Sequence, residues 1–157
     1  MDNLLKHDLG SLVTPKLGAA FGAATAGGTG DNTAVTGIAV DRFAANMPRA
    51  AVVLVLWQAA LAQNATLTLK TCEIEQSADG QNWDATKLVS FADPGVVGTG
   101  GAGGSTARGM VKLAIDLSSA KRYVRFNHTP DLSAANTDTS NTAVAWVLSG
   151  HDSLPAV

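Results

Sequence analysis

Cysteine, charge and aromatic side chains are all scarce in this sequence of 157 residues. The single cysteine, Cys72, excludes a disulfide framework and any zinc site built on paired cysteines. Charged residues make up 15% of the chain, whereas soluble domains typically contain about 25%. The net charge is −2, without the clustered Lys and Arg that phosphate binding requires, so we expect no nucleic-acid partner.

Long apolar runs are also missing. The longest covers residues 50–62 and is interrupted by Gln58, whereas a membrane-spanning helix needs about 20 apolar residues. Residues 1–8 lack the basic start and the apolar stretch of a secretory signal peptide. We therefore expect no membrane partner, and we expect synthesis in a cytoplasm.

The sequence shows no arrangement of residues that is typical of an active site. His7, His128 and His151 have no metal-binding spacing, and we expect each to be solvated in a loop. The glycine-rich residues 95–104 are not followed by the Lys-Ser/Thr pair of a phosphate-binding loop, and no G-x-S-x-G nucleophile motif occurs. We expect no enzymatic activity, no catalytic residue, no cofactor and no metal.

Two groups of carboxylates leave alternatives open. Glu73 and Glu75 share one face of a predicted strand and resemble paired catalytic carboxylates, although cross-strand cations offer a simpler role for them. The available cations are Lys70, Lys87 and Arg125. Loop aspartates could hold calcium, although no D-x-D-x-D spacing supports this. These aspartates are Asp131, Asp138 and Asp152.

Alternation of apolar and polar residues with a period of two recurs along the chain and indicates β-strands. No amphipathic helix separates these segments, which favours an all-β, antiparallel β-sandwich of the jelly-roll type. The predicted strands are residues 35–42, 51–61, 65–76, 86–91, 110–117, 121–128 and 142–150.

Several features refine this prediction. Residues 51–61 are rich in Val and Leu, which is typical of a strand buried on both faces. Polarity switches sides near Thr71, which predicts a bulge there. We expect residues 96–108 to form a long glycine-rich loop and Pro130 to end its strand.

We expect the alternation to bury one apolar set between the two sheets, and Cys72 to be a small buried side chain. The predicted core is Val53, Val55, Trp57, Leu69, Ile74, Leu113, Ile115, Val124, Phe126, Trp146 and Leu148.

The first 33 residues differ from the rest in composition. Residues 18–30 are small and uncharged, with too few large apolar side chains to form a core. We therefore divide the chain into an extended Gly/Ala-rich N-terminal arm, residues 1–33, and a jelly-roll domain, residues 34–157. The arm either orders against a neighbouring subunit or is a disordered terminus.

A tight turn supplies the candidate ligand or interface residues. Asp79-Gly80 between two strand-like segments is a strong hairpin signal, since Gly accepts a positive φ and Asp bonds to nearby backbone donors. Asn82 and Trp83 follow directly. Either these residues only build the turn, or Asn82 and Trp83 bind a sugar by hydrogen bonds and stacking.

Two resemblances follow from these motifs. Residues 73–83, with the pattern S-x-D-G-x-x-W, and residues 120–126, Ala-Lys-Arg-Tyr-Val-Arg-Phe, resemble strands of discoidin-type, galactose-binding-like jelly rolls. The chain lacks the cysteines that commonly bracket discoidin domains. Taken with the Gly/Ala-rich residues 18–30, the whole chain resembles small structural proteins of tailed-bacteriophage particles, such as head decoration (cement) proteins.

The second resemblance implies a non-enzymatic virion protein that binds the capsid exterior and stabilises it after assembly in the host cytoplasm. The implied partners are the major capsid protein of the same particle and further copies of this chain, as a dimer or trimer. The alternative is a carbohydrate-binding jelly-roll module of a phage adhesion device.

Overall fold

The computed structural model describes residues 9–133 and 137–152. Within them the regular structure is almost entirely β, and no helix is long and apolar enough to cross a membrane. The strands are β1 (Val13–Thr25), β2 (Val40–Asp41), β3 (Ala50–Leu61), β4 (Thr66–Ser77), β5 (Val89–Ser90), β6 (Gly95–Thr99), β7 (Ser105–Asp116), β8 (Tyr123–Leu132) and β9 (Thr139–Ser149). Single 3-10 turns cover Leu9–Ser11 and Phe43–Ala45.

The strands form two antiparallel sheets packed face to face. One is four-stranded with the order β1-β9-β3-β7, and the other has the order β2-β8-β4-β5, with β6 also paired to β4. From β1 to β4, successive strands alternate between the two sheets, as do β7, β8 and β9, which is the chain path of a jelly roll. The predicted fold class, an all-β antiparallel sandwich, is confirmed.

The core lies between the two sheets and is built from the inward-facing residues of the longest strands. Trp146 of the four-stranded sheet and Phe126 of the five-stranded sheet are completely buried. All the predicted core residues are buried except Leu113, which is half-buried on the edge strand β7. Alternation therefore identified the inward face of nearly every long strand.

The N-terminal segment differs from the expected arm. Residues 13–25 form β1, which pairs with β9 from Val13 opposite Ser149 to Thr25 opposite Thr139. A Cβ atom on Gly18 would lie within 2.8 Å of Val144 and Trp146, so small residues let β1 approach β9 closely. This part of residues 1–33 therefore belongs to the sandwich, and residues 1–8 lie outside the described residues.

Most of the predicted strand at residues 35–42 forms an irregular segment that closes one side of the sandwich. Only Val40–Asp41 is a strand, while Val35 and His128 exchange backbone hydrogen bonds. The backbone N–H of Gly37 donates to Asn127 Oδ1 (3.1 Å). A Cβ atom at Gly37 would lie 2.1 Å from the carbonyl oxygen of Phe126, so this close approach requires glycine.

The glycine-rich residues 96–108 are largely strand, contrary to the prediction of a long loop. They end β6 and begin β7, and residues 100–104 alone connect the two strands. Cβ atoms at Gly98 and Gly109 would lie 2.8 Å and 2.6 Å from the ring of Trp57. These glycines make room for a large inward-facing indole, and such packing cannot be read from local sequence.

Two further strand boundaries were predicted wrongly, and one irregularity was predicted correctly. The strand expected at residues 86–91 is reduced to Val89–Ser90. β8 continues through Pro130, which lies opposite Leu69, because proline removes a donor but keeps its acceptor carbonyl. The bulge expected near Thr71 is confirmed by a register shift between Lys70 and Glu73 and by a φ of 51° at Thr71.

Replacement of Trp146 tests the core. We expect Trp146→Ala to lower the free energy of unfolding by about 3–5 kcal/mol, because the completely buried indole would leave a cavity between the sheets. Val96→Ala is the control, since Val96 is 57% exposed. Urea denaturation followed by fluorescence and circular dichroism gives both values. Equal losses in the two variants would contradict this assignment of the core.

Candidate functional site

The structure brings the four predicted site residues together in one turn at the end of β4. Oδ1 of Asp79 accepts hydrogen bonds from the backbone N–H groups of Gln81 (2.9 Å) and Asn82 (2.8 Å). Oδ2 accepts one from Nδ2 of Asn82 (2.7 Å). These bonds, led by those from Asn82, hold the pKa of Asp79 well below its usual range. The polar groups of Asp79 and Asn82 therefore bond to each other within the turn.

Gly80 and Trp83 also have defined partners. Gly80 has a φ of +78°, and a Cβ atom there would lie 3.3 Å from the ring of Tyr123. Trp83 forms an isolated bridge with Ser77, and the guanidinium of Arg125 lies 4.0 Å from the centre of its ring. One face of Trp83 is thus covered by a cation of the neighbouring strand.

Ser77 is a residue of this turn that the sequence did not single out. Its buried hydroxyl accepts a hydrogen bond from the backbone N–H of Gly80 (2.9 Å) and donates to the carbonyl of Asn82 (2.5 Å). The only local signal for it is a serine two residues before Asp-Gly, a position from which a side chain can bond to turn backbone.

The outer face of the five-stranded sheet is covered by ion pairs. Glu75 is paired with Lys87 and with Nε of Arg125 (2.6 Å), and Glu73 is paired with Lys87 (2.9 Å). The predicted cross-strand cations are therefore present for this carboxylate pair. Lys70 is the exception, because it pairs with Asp131 (2.6 Å) instead.

Glu75 is the most strongly held of these carboxylates. Burial disfavours its charged form, but hydrogen bonds with Lys87, Asn127 and Arg125 outweigh that effect and lower its pKa from 4.5 to about 2. Both members of the carboxylate pair are bound to cations, which gives them a structural role on this face. Thr66 and Thr68, which also point outwards from β4, are uncharged but polar.

The outer face of the four-stranded sheet has the opposite character. Its three central rows of side chains are almost entirely apolar, and we call them the apolar sheet face. In the register of the sheet these rows contain Pro15, Val147, Val52 and Ala114, then Leu17, Ala145, Leu54 and Lys112, then Ala143, Leu56 and Met110. Phe21 lies near Leu56, where β1 shifts register between Ala19 and Gly22. Phe21 is 83% exposed and Met110 59%.

Polar residues border this face at both ends of the strands. Ser149 and Asp116 flank Ala50 at one end, and Asn141 and Arg108 flank Gln58 at the other. A shallow depression of ≈ 330 Å³ next to Phe21 and Leu56 lies at the second end. An apolar centre with a polar rim is the usual composition of a protein–protein contact.

The composition of β3 explains why this surface was not predicted from the sequence. Its composition predicted burial on both faces, and in the structure Val53 and Val55 face the core whereas Leu54 and Leu56 face outwards. The signal was present in the sequence as apolar residues at every position from 50 to 57. Which of them lie on the exterior depends on the order of the strands in the sheet.

Both free edges of the four-stranded sheet are poorly suited to adding another strand. β1 contains Pro15 and two register shifts, and β7 carries Arg108 and Lys112. Proline, irregular register and charge are the features that protect sheet edges from pairing. A partner of this sheet would therefore contact its face.

Two histidines are not solvated in loops as predicted. His128 is 1% exposed within β8, its Nε2 lies 3.0 Å from Oγ1 of Thr142, and burial lowers its pKa to about 4. Nδ1 of His151 lies 2.8 Å from the carbonyl oxygen of Ala45. The sandwich encloses His128, whereas His151 lies after β9 and is half-buried, and His7 lies outside the described residues.

Cys72 is buried, as predicted. Its side chain is 1% exposed, and burial, with a contribution from the charge of Asp93, raises the pKa of its thiol to about 12. A thiol with such a pKa remains protonated near neutral pH, so Cys72 is not an activated nucleophile.

The three aspartates considered for calcium have separate partners, and Asp131 lies in β8 and not in a loop. Asp131 pairs with Lys70, Asp152 pairs with Arg49 (2.8 Å), and Oδ1 of Asp138 accepts a bond from the backbone N–H of Ala62 (2.8 Å). In the part of the chain that the structure describes, no three metal-binding side chains lie together.

The free energy of unfolding should depend on pH through the carboxyl group of Glu75. Because its pKa is lower in the folded state than in the unfolded chain, its contribution is complete above about pH 4.5 and is lost as the pH falls towards 2. We expect Glu75→Gln to reduce the loss of unfolding free energy between pH 4.5 and pH 2. Urea denaturation across this range measures the slope, with Asp152→Asn as an exposed control; equal slopes for wild type and Glu75→Gln would contradict the assignment.

The turn at Asp79 can be tested for a structural role against a sugar-binding role. We expect Gly80→Val to reduce stability by more than about 1 kcal/mol, because valine is strained at positive φ. Asn82→Ala should have a smaller effect. A glycan array then examines binding directly, and a defined sugar whose binding disappears in Trp83→Ala at unchanged melting temperature would overturn the structural interpretation.

No protein-family model matches this chain, and no curated protein matches it. It is similar to a structure of infectious bursal disease virus, Gt strain (TM-score 0.49, 13% identity, 91% of this chain and 34% of that chain). A VP2 subviral particle of the same virus gives a TM-score of 0.47 (12% identity, 88% and 33% coverage). Dimeric latent PorU from Porphyromonas gingivalis gives 0.40 (11% identity, 88% and 12%). This chain spans about a third of the viral chains, and at this level of similarity none of them assigns it a function.

Proposed function

We propose that this chain is a non-enzymatic structural protein of a virus particle that is held on the capsid exterior and stabilises it, as head decoration (cement) proteins do. The observation that carries the proposal is the apolar sheet face. It is the contact by which the chain would be held in the particle. The resemblance of residues 73–83 and 120–126 to strands of jelly-roll proteins, and of the whole chain to small phage structural proteins, points in the same direction.

The size of the apolar sheet face suits a contact surface. Four strands about 4.8 Å apart and three rows of side chains about 7 Å apart cover roughly 400 Å² in projection. An apolar patch of about this size is at the limit of what soluble proteins usually expose, and such patches often have a binding function. Burying it against another protein removes that exposure and gains the hydrophobic free energy of the contact.

The contrast between the two outer faces gives the chain a single direction of attachment. The outer face of the five-stranded sheet carries Glu73, Glu75, Lys87 and Arg125 in mutual ion pairs, and it remains compatible with water. The apolar sheet face carries one charged side chain in its central rows, Lys112. Such a domain would turn its apolar side towards the particle and its ion-paired side towards solvent.

A stiff sandwich is well suited to this role. The contact side chains stand on long strands whose register is fixed by continuous pairing, as in β3 opposite β9 from Ala50 to Ala60. Little conformational entropy is then lost when the contact forms, so more of the interaction energy appears as affinity. Repetition over a capsid lattice adds avidity, because each attached copy holds its neighbours at high effective concentration.

Particle binding tests the proposal with a matched pair of variants. Leu56→Glu places a charge in the apolar sheet face, and Thr68→Glu places one on the opposite outer face. With purified particles of the virus that encodes this chain, we expect co-sedimentation of the wild type and of Thr68→Glu. We expect at least a tenfold weaker binding of Leu56→Glu, about 1.4 kcal/mol, because the carboxylate would be desolvated in the contact.

The temperature at which the particle releases its genome tests whether this chain stabilises the capsid. Particles that carry the wild-type chain should release their genome at a higher temperature than particles that lack it, as followed with a nucleic-acid dye. Absence of the chain from purified particles by mass spectrometry, or equal binding of Leu56→Glu and wild type, would overturn the proposal.

A further inference from the structure

We propose that in solution the apolar sheet face is covered by the same face of a second copy, so that the protein is a two-fold, face-to-face dimer. The inference rests on the proposed function in one respect, since it takes the apolar sheet face as the protein contact and names the partner that covers it. The dimer would be the form in solution, and it would separate when the capsid takes the place of the second copy on this face.

The outward side chains of the apolar sheet face differ in size from strand to strand. The outward residues of β9 in its central rows are small, Ala143, Ala145 and Val147, and they form a groove. On one side stand Leu54 and Leu56 of β3, and on the other side stand Leu17 and Phe21 of β1. The surface is therefore a groove between two ridges, and the ridges are about 10 Å apart, two strand spacings.

The ridges and the groove of one copy are complementary in shape to those of a second copy. A two-fold axis that runs parallel to the strands, between β9 and β3, places the β3 of each copy over the β9 of the other. Leu54 then lies over the row of Ala145, and Leu56 over the row of Ala143. The β3 ridge of each copy enters the β9 groove of the other, and symmetry makes these two contacts equivalent, which is the requirement of an isologous contact.

The position of the charged residue Lys112 also favours this axis over a two-fold axis perpendicular to the strands. Lys112 lies on the edge strand β7, and under this symmetry β7 faces β1 of the second copy. The two Lys112 residues are then about 14 Å apart across the sheet, beyond the screening length of about 8 Å at physiological salt, and each can extend to solvent at the edge. A two-fold axis perpendicular to the strands would instead place β7 over β7 and bring the two lysines together.

The area of the whole outer face is sufficient for a stable dimer. Four strands of about eleven residues span roughly 19 Å by 37 Å, so a pair of faces buries about 1,400 Å². Stable protein–protein contacts typically bury about 1,200–2,000 Å² in total. Two sheets that stack at about 10 Å and about −30° form the same kind of layer that already exists inside each sandwich.

Sedimentation equilibrium of the full chain tests the dimer directly. We expect twice the chain mass of 16.0 kDa for the wild type at micromolar concentration. Leu56→Glu should sediment as a monomer with an unchanged circular-dichroism spectrum, and Thr68→Glu should remain a dimer. A wild type that is monomeric up to 100 times that concentration, or that is a trimer, would overturn the inference.

Cysteine cross-linking tests the axis, because the natural Cys72 is buried and unreactive. We expect a short bis-maleimide to link Leu54→Cys chains to Ala145→Cys chains when the two are mixed, and not to link Lys112→Cys chains to each other. The reverse result would overturn the arrangement.

The outcomes separate this inference from the proposed function. A monomeric wild type that still needs Leu56 for particle binding would show that a capsid protein covers the face directly, which overturns the dimer and keeps the proposed function. A wild type that is a dimer in solution but is absent from purified particles would support the dimer and overturn the proposed function.

Discussion

The central strand pair, β3 beside β9, carries apolar side chains on both of its faces, and the rest of the structure depends on this. Inward, Val53, Val55 and Trp146 form the middle of the core, against which the five-stranded sheet packs. Outward, Leu54 and Ala145 form the middle of the apolar sheet face. Such a composition is typical of strands that are covered on both faces, and in the part of the chain that the structure describes only the inner face is covered.

The distribution of charge complements this constraint. With only 15% charged residues, the chain places much of its charge in ion pairs on the five-stranded sheet, where Glu75 lies between Lys87 and Arg125. The exterior of the four-stranded sheet is thereby left with little charge. Low overall charge in the sequence thus becomes a strong difference between two sides of the molecule, and that difference supports attachment through one side.

The turn at Asp79 shows how far local chemistry can be predicted. Asp-Gly specified the turn, and Asp79 and Gly80 have the bonding and the positive φ that the dipeptide predicted. The sequence left Trp83 open between packing and sugar stacking, because the partner of its ring, Arg125, is 42 residues away and meets it only through the pairing of β4 with β8. The buried histidine His128 was misjudged for the same reason.

By itself the sequence determined the all-β class, most of the inward-facing residues, the bulge at Thr71 and the turn at Asp79, since these follow from period-two alternation and from local backbone preference. Only the tertiary structure decided that residues 13–25 are an edge strand and that Gly98 and Gly109 make room for Trp57. It alone decided which apolar residues of β3 face outwards. These outcomes depend on which strands lie side by side and on contacts between residues far apart in the chain, and no local pattern encodes that order.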